Sequence, residues 1–352
     1  MELNNIIFSI LLLFFGFFLN KYLLYYFYRS KYNFLIDKDY KKPQAFHQNS
    51  TYRLGGVTIF FTLSMVFLYL FYKQNIYFPA YTTFCTLFFI LGLLDDLKIN
   101  ILPKFRLGAM ILILIFLVIS NELYVEKSGL AFLNHLLKID IFGLIFVILC
   151  FLFIVNGSNL IDGFNGLLGI HVLIIFITLF SINLIYDNND IATFLFFVIL
   201  LTLIFLVFNF PKAQMFLGDS GAYLLGTLVA VSTIKTSILN PTISPFFFSA
   251  LLAYLFFEVF FSFIRKLLIK KTSPLLPDQD HLHMLIYKKL YKKNKKKLKS
   301  NYSVSIIINS VYLLSIIPGI FFMNNGMFCK YYSVILILTY IICYKVANEK
   351  TK

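Results

Sequence analysis

Acidic side chains are scarce in this 352-residue chain, 16 Asp and Glu in all, and six aspartates sit at polar breaks between apolar runs: Asp95, Asp96, Asp162, Asp219, Asp278 and Asp280. Ionisable groups where a chain enters lipid are costly and by default mark functional sites. Asp95 and Asp96 close the run LGLLDD. Successive helical residues diverge by about 100°, so the two carboxylates address different partners, one of them suited to a hard cation. Like charges this close raise each other's pKa unless a cation compensates, and Lys98, Lys104 and Arg106 follow directly. The plain alternative is a capped helix end with surface charge.

In NGSNLIDGFNG, residues 156 to 166, Asn156, Asn159 and Asp162 recur every three residues, and on a helix they form one polar stripe. Gly157, Gly163 and Gly166 clear space beside it, which gives a hydrogen-bonding wall for a polar ligand. Close helix packing through the glycines is the alternative, but packing does not call for an Asp. FLGDSG (216 to 221) resembles the nucleophile motif of soluble serine proteases, yet Ala222 stands where a glycine is expected. Asp219, between glycines and ahead of an apolar run, is better suited to Mg²⁺, which favours carboxylate oxygen and keeps waters and phosphates in its shell. In PDQDHLH (277 to 283), two histidines without cysteine or a third ligand are weak for zinc. Among lysines, His281 and His283 suit a diphosphate. In HQNSTYRLGG (47 to 56), Arg53 offers a two-pronged fork for phosphate, and Gly55 and Gly56 admit close backbone approach. A basic loop ahead of a helix explains that segment equally well.

The elements that must hold these groups are membrane helices. Apolar side chains make up 60% of the chain, charged ones 13%, and the mean hydropathy is +0.83, far from a soluble globule. A bilayer core of about 30 Å needs roughly 20 apolar residues as a helix. Eleven such runs are found, near 5–27, 55–72, 78–94, 107–121, 139–155, 166–185, 191–209, 221–236, 245–264, 303–322 and 331–346. The count falls to ten if the short run 107–121 is dropped. Lipid excludes irregular spanning backbone, so the expected fold is an all-α integral membrane protein forming a single domain. The first run follows an acidic start, MELNN, with no small-residue cleavage site, and reads as a retained helix.

With eleven spans and the N-terminus outside, all but a handful of the 31 Lys and Arg residues fall on one side, which the positive-inside rule makes the cytoplasm. The six aspartates share that side. The net charge of +15 therefore fixes topology and meets anionic headgroups; no nucleic-acid partner is expected. The four cysteines show no paired spacing, so neither a disulfide framework nor a zinc site is expected.

Carboxylates for Mg²⁺, an amide-rich wall, basic side chains and a histidine loop on one face suggest phosphoryl transfer to a lipid, chemistry that needs mainly positioning and charge neutralisation. The ordered set DD (95–96), NGSNLIDGFNGL (156–167), FLGDSG (216–221) and PDQDHLH (277–283), on alternate loops, resembles the polyprenyl-phosphate N-acetylhexosamine-1-phosphate transferase family. That family includes phospho-MurNAc-pentapeptide translocase and the enzymes that start O-antigen, teichoic acid and capsule synthesis. The likeness covers about residues 45 to 290.

The resemblance implies transfer of a sugar 1-phosphate from a UDP-HexNAc to undecaprenyl phosphate, with release of UMP, in a bacterial cytoplasmic membrane. It implies Mg²⁺, with Mn²⁺ as a substitute, held by Asp219 with Asn159 beside it and Asp96 as a further ligand. Asp95 and Asp96 would position the lipid phosphate. Asn156 and Asp162 would line the nucleotide-sugar pocket, with Arg53, Lys104, His281 and His283 toward phosphates. A homodimer is left open. Many members carry a further histidine where this chain has Met284, which leans away from the pentapeptide subtype and toward the O-antigen-initiating group.

Two rival classes fit less well. A secondary transporter places polar breaks near the bilayer midplane and often shows two related halves. A membrane prenyltransferase needs paired aspartate-rich clusters, and Asp219 stands alone.

Overall fold

The computed structural model describes residues 3–30, 34–37, 50–99, 101–273 and 278–349. Four helices come first: α1 (Leu3–Ser30), α2 (Gly55–Gln74), α3 (Pro79–Asp96) and α4 (Pro103–Ser120). Proline at the first position opens α3 and α4, where a missing N–H costs nothing. A short α5 (Ala131–Leu137) leads into α6 (Asp140–Ile161), α7 (Leu167–Ile185), α8 (Asn189–Asn209) and α9 (Gly218–Leu239). Then come α10 (Pro245–Leu251), α11 (Ala253–Ile264) with a π-helical turn over Arg265–Ile269, α12 (Leu282–Asn294), α13 (Lys297–Phe321) and α14 (Gly326–Glu349).

Among the described residues nine helices are each long and apolar enough to cross a membrane, and a tenth arises if the pair Pro245–Leu251 and Ala253–Ile269 is one span bent by 72°. The eleventh expected run, 78–94, is α3, an 18-residue helix that falls outside that set. The outer helices α1 and α14 expose apolar side chains over much of their surface, Phe14 and Phe18 on one, Ile335 and Ile342 on the other. Such faces are stable against lipid rather than water.

The enclosed member is α9, packed against α3 and α6 with α2 and α7 beyond them. Glycine makes this possible. A Cβ on Gly92 of α3 would lie 2.5 Å from the Asp219 carbonyl oxygen, and one on Gly56 of α2 would lie 2.3 Å from the Gly221 nitrogen. Three helices therefore meet backbone to backbone around the first turn of α9.

A three-stranded sheet, absent from the all-α expectation, sits at the same end: β1 (Ile36–Asp37), β2 (Thr51–Arg53) and β3 (Met215–Phe216). β2 pairs antiparallel with β1 and parallel with β3, with Arg53 opposite Phe216. Strands of two or three residues are too short to show a period in sequence.

Candidate active site

The aspartate pair diverges as helix geometry requires. Asp95 Oδ2 accepts from Arg106 Nη1 at 2.7 Å. Asp96, almost fully buried, turns the other way and takes the backbone N–H groups of Asp219 (3.0 Å) and Ser220 (2.9 Å) and the Ser220 hydroxyl (2.7 Å). The first N–H groups of a helix have no partner within it, and Leu217 at the start of α9 supplies no side-chain cap. Asp96 of α3 caps α9 from another helix. Gly218, at φ +77°, lets the chain turn there; a Cβ would lie 2.5 Å from Asp96 Oδ2.

Arg53 closes the cluster from β2, donating to Asp37 Oδ2 at 2.8 Å and to Asp96 Oδ1 at 3.2 Å. Burial alone would lower its pKa, but Asp219, Asp37 and Asp96 more than offset this and hold the guanidinium charged. Gly55 and Gly56 do allow close approach, but what approaches is the 217–221 backbone, with Gly56 N–H bonded to the Leu217 carbonyl at 2.9 Å.

Among the described residues the Asp219 carboxylate accepts no hydrogen bond and makes only one long ion pair. Its nearest cation is Arg106, with Nη1 3.8 Å from Oδ2, and its side chain stays 29% exposed. Arg106 also lies over the Tyr223 ring. Lys104, two residues earlier on α4, is exposed. Residues two apart point to nearly opposite sides of a helix, so Arg106 rather than Lys104 faces the aspartates.

The stripe begins on α6, which continues to Ile161 and so makes helix of residues 156 to 161, expected as loop. Asn156, Asn159 and Asp162 are all half-buried. Asn156 donates back to the Leu152 carbonyl at 2.8 Å. A Cβ on Gly157 would meet the Leu255 carbonyl at 2.4 Å, whereas Gly163 faces open space. The first glycine serves packing and the second leaves room. Just past α6, the Asp162 carboxyl is pushed well above the usual carboxylate range, first by burial, then by Asp219, with Arg53 opposing and Asp96 adding to the rise.

The histidines stand apart from these ion pairs. His281, at the N-cap position of α12, and His283, in its first turn, are both buried. Their contacts run to Glu258 of α11, to Tyr254 and to Phe164. Asp278 and Asp280 brace this loop: Arg265 pairs with Asp278, Lys270 Nζ lies 2.8 Å from Asp278 and 2.6 Å from Asp280, and Arg265 reaches Tyr344 of α14. Burial pushes the Asp278 carboxyl up, but Lys270 and Arg265 more than offset it and hold it well below the usual range. Met284 fills the core. His47, Gln48 and Asn49 of HQNSTYRLGG and Pro277 of PDQDHLH lie outside the described residues.

Among the described residues no group of three or more His, Cys, Asp or Glu side chains is disposed to hold a metal ion. A Mg²⁺ site here must rely on one or two carboxylates, with waters and substrate phosphates completing the shell. Asp219, which accepts no hydrogen bond among the described residues, suits that set. Asp96, the further metal ligand that the resemblance implies, has both oxygens engaged by the α9 cap and Arg53.

Residues 78–237 match the glycosyl transferase family 4 model. An undecaprenyl-phosphate alpha-N-acetylglucosaminyl 1-phosphate transferase of Thermotoga maritima is 30% identical over 75% of this chain and 76% of its own length. The chain belongs to glycosyl transferase family 4. A phospho-N-acetylmuramoyl-pentapeptide-transferase of Dictyoglomus turgidum is 33% identical over 65% of this chain and 74% of its own. The Escherichia coli K12 undecaprenyl-phosphate alpha-N-acetylglucosaminyl 1-phosphate transferase is 24% identical over 72% and 69%. The matched span takes in the DD, NGSNLIDGFNGL and FLGDSG motifs. The parts played by Arg106, Ser220 and Glu258 come from the structure. Glu258 had a visible signal, a lone acid inside FFEVFF; Ser220 had none.

Proposed function

We propose that this chain transfers an N-acetylhexosamine 1-phosphate from its UDP ester to undecaprenyl phosphate on the cytoplasmic face of a bacterial membrane, releasing UMP. The observation that carries the reading is the inequality of the three aspartates: Asp95 and Asp96 are hydrogen-bonded by Arg106 and by the α9 cap, while Asp219 has only a long ion pair to Arg106 at 3.8 Å and keeps its other oxygen open. Membership of glycosyl transferase family 4 supports the reaction class, and the basic loops on this side support its orientation.

A phosphate oxygen of the lipid attacks the sugar-bearing phosphorus of the donor, the bond from that phosphorus to the bridging oxygen breaks, and UMP leaves with the bridging oxygen. A lipid phosphate is largely ionised near neutral pH, with a second pKa of about 6 by analogy with phosphoserine, so no protein nucleophile is required. Bound Mg²⁺, held by Asp219 with Asn159, would neutralise the diphosphate and the departing charge. Arg106 places a guanidinium between Asp95 and Asp219 where that charge collects, and Arg53 fixes the cap that aims Asp219. Asp162 and the amides of the stripe line the donor side.

The test is turnover by purified protein in detergent with undecaprenyl phosphate, Mg²⁺ and a panel of UDP-HexNAc donors. Product that requires both lipid and one donor, and that disappears in excess chelator, is the expected result. Full activity with chelator present would remove the metal from the scheme.

A further inference from the structure

Tyr223 stands in the second turn of α9, four residues past Asp219 and so on the same face of the helix. Helical side chains lean toward the N-terminus of their helix, which carries its ring back toward the Asp219 carboxylate. Arg106 covers the ring. Its guanidinium carbon lies 6.0 Å from the ring centroid, while Nη1 of the same side chain is 2.7 Å from Asp95 and 3.8 Å from Asp219. The charged groups that act on the phenol are Asp219, Arg106, Asp95 and Asp96, all drawn from the ion-pair cluster.

In that company its hydroxyl has no partner. The side chain is fully enclosed, and the oxygen makes no hydrogen bond. The nearby carboxylates are engaged elsewhere or out of reach: Asp95 holds Arg106, Asp96 holds the α9 cap, and Asp219 accepts nothing. A phenylalanine would fill the same space without stranding a polar group. Buried polar atoms without a partner are uncommon and call for one. A phenol has a single O–H to give and adds no charge of its own, so the partner it suits is an anionic oxygen brought in beside Arg106.

We propose that the Tyr223 hydroxyl donates a hydrogen bond to a substrate phosphate oxygen bound between Arg106 and Asp219. The proposal rests on the reaction given above and adds to it a phosphate-binding residue on the membrane side of Asp219. Because α9 runs inward from the polar end of the bundle, Tyr223 lies one turn deeper than Asp219. A lipid phosphate reaches that depth from the bilayer and a nucleotide diphosphate from the cytoplasm, and both present the same kind of oxygen. Arg106, whose side chain is 28% exposed, is the cover that a phosphate draws aside.

Tyr223→Phe removes the hydroxyl and keeps the ring beneath Arg106. Its kcat/KM is expected to fall about 10–100-fold, the worth of a hydrogen bond to a charged group. The loss appears in KM for undecaprenyl phosphate if the lipid supplies the oxygen, and in KM for the UDP-HexNAc if the donor does. The melting temperature should equal that of wild type or exceed it, because the variant deletes a buried donor that had no partner. A residue that served packing alone would lose stability and turnover together. Binding is read without turnover by fluorine NMR of protein carrying 3-fluorotyrosine at position 223 only. That resonance should move when undecaprenyl phosphate or UDP-GlcNAc is added alone, whichever supplies the oxygen. A Tyr223→Phe protein within about twofold of wild type in kcat/KM, a melting temperature that falls with turnover, or a resonance that neither ligand moves would overturn the proposal. Absence of turnover in the wild type would instead strike the reaction, and the resonance would still decide the role of Tyr223.

Discussion

The α3–α9 pair is acidic at both ends, and the ends are built differently. At one, Asp95, Asp96 and Asp219 are set against Arg53 and Arg106, with distances between 2.7 and 3.8 Å. At the other, a cavity of about 850 Å³ is lined by Tyr77, Glu122, Asp187, Asp190 and Lys235 among others. Among the described residues none of those four charged side chains forms an ion pair. Charge of similar amount is ordered at one end and loose at the other. Backbone contact makes the difference: glycines at 56 and 92 bring α2 and α3 onto the first turn of α9, and the capping carboxylate of Asp96 then leaves Asp219 as the one carboxylate of the trio that accepts no hydrogen bond among the described residues.

The comparison can be broken from its strong side first. Asp219→Asn should lower turnover by roughly 10²–10³-fold, the scale for losing a group that meets transition-state charge, while the protein still elutes as a single folded species. Near-normal turnover would move the metal elsewhere. Next, Arg106→Ala should cost about tenfold or more in kcat, and Lys104→Ala less than twofold, a contrast that a purely electrostatic patch would not give. Asp96→Ala should destabilise by about 0.5–2 kcal/mol, the range for a lost helix cap, and lower turnover through displaced Asp219; a denaturation midpoint equal to wild type would refute the cap. The Asp278 clamp yields a pH signature. Its carboxyl is held below the usual range, so its stabilisation is present above the unfolded value of about 4 and is lost as pH falls through the folded value. The difference in melting temperature between wild type and Asp278→Asn should therefore stay level from pH 7 to about 4 and shrink as pH falls further. The smallest effect belongs to the opposite end, where Asp187→Asn and Lys235→Gln should leave kcat/KM within about twofold.

Much of this was legible in the residues. The spans could be read because lipid demands long apolar helices. The bent pair at Leu252 and the helical continuation through Asn156–Ile161 were not, since local apolarity reports neither a break nor an end. Asp96 and Ser220 meet across 124 positions, and no local pattern carries such a pairing. Arg106 and Lys104 differ only in helix phase, which waits on where α4 begins.

The central claim is that the chain moves a sugar together with its phosphate. The direct measurement is the nucleotide released when wild-type protein is incubated with undecaprenyl phosphate and the accepted UDP-HexNAc. UMP is expected, formed one for one with a lipid diphosphate-sugar seen by mass spectrometry. Release of UDP, with the sugar alone on the lipid phosphate, would contradict it.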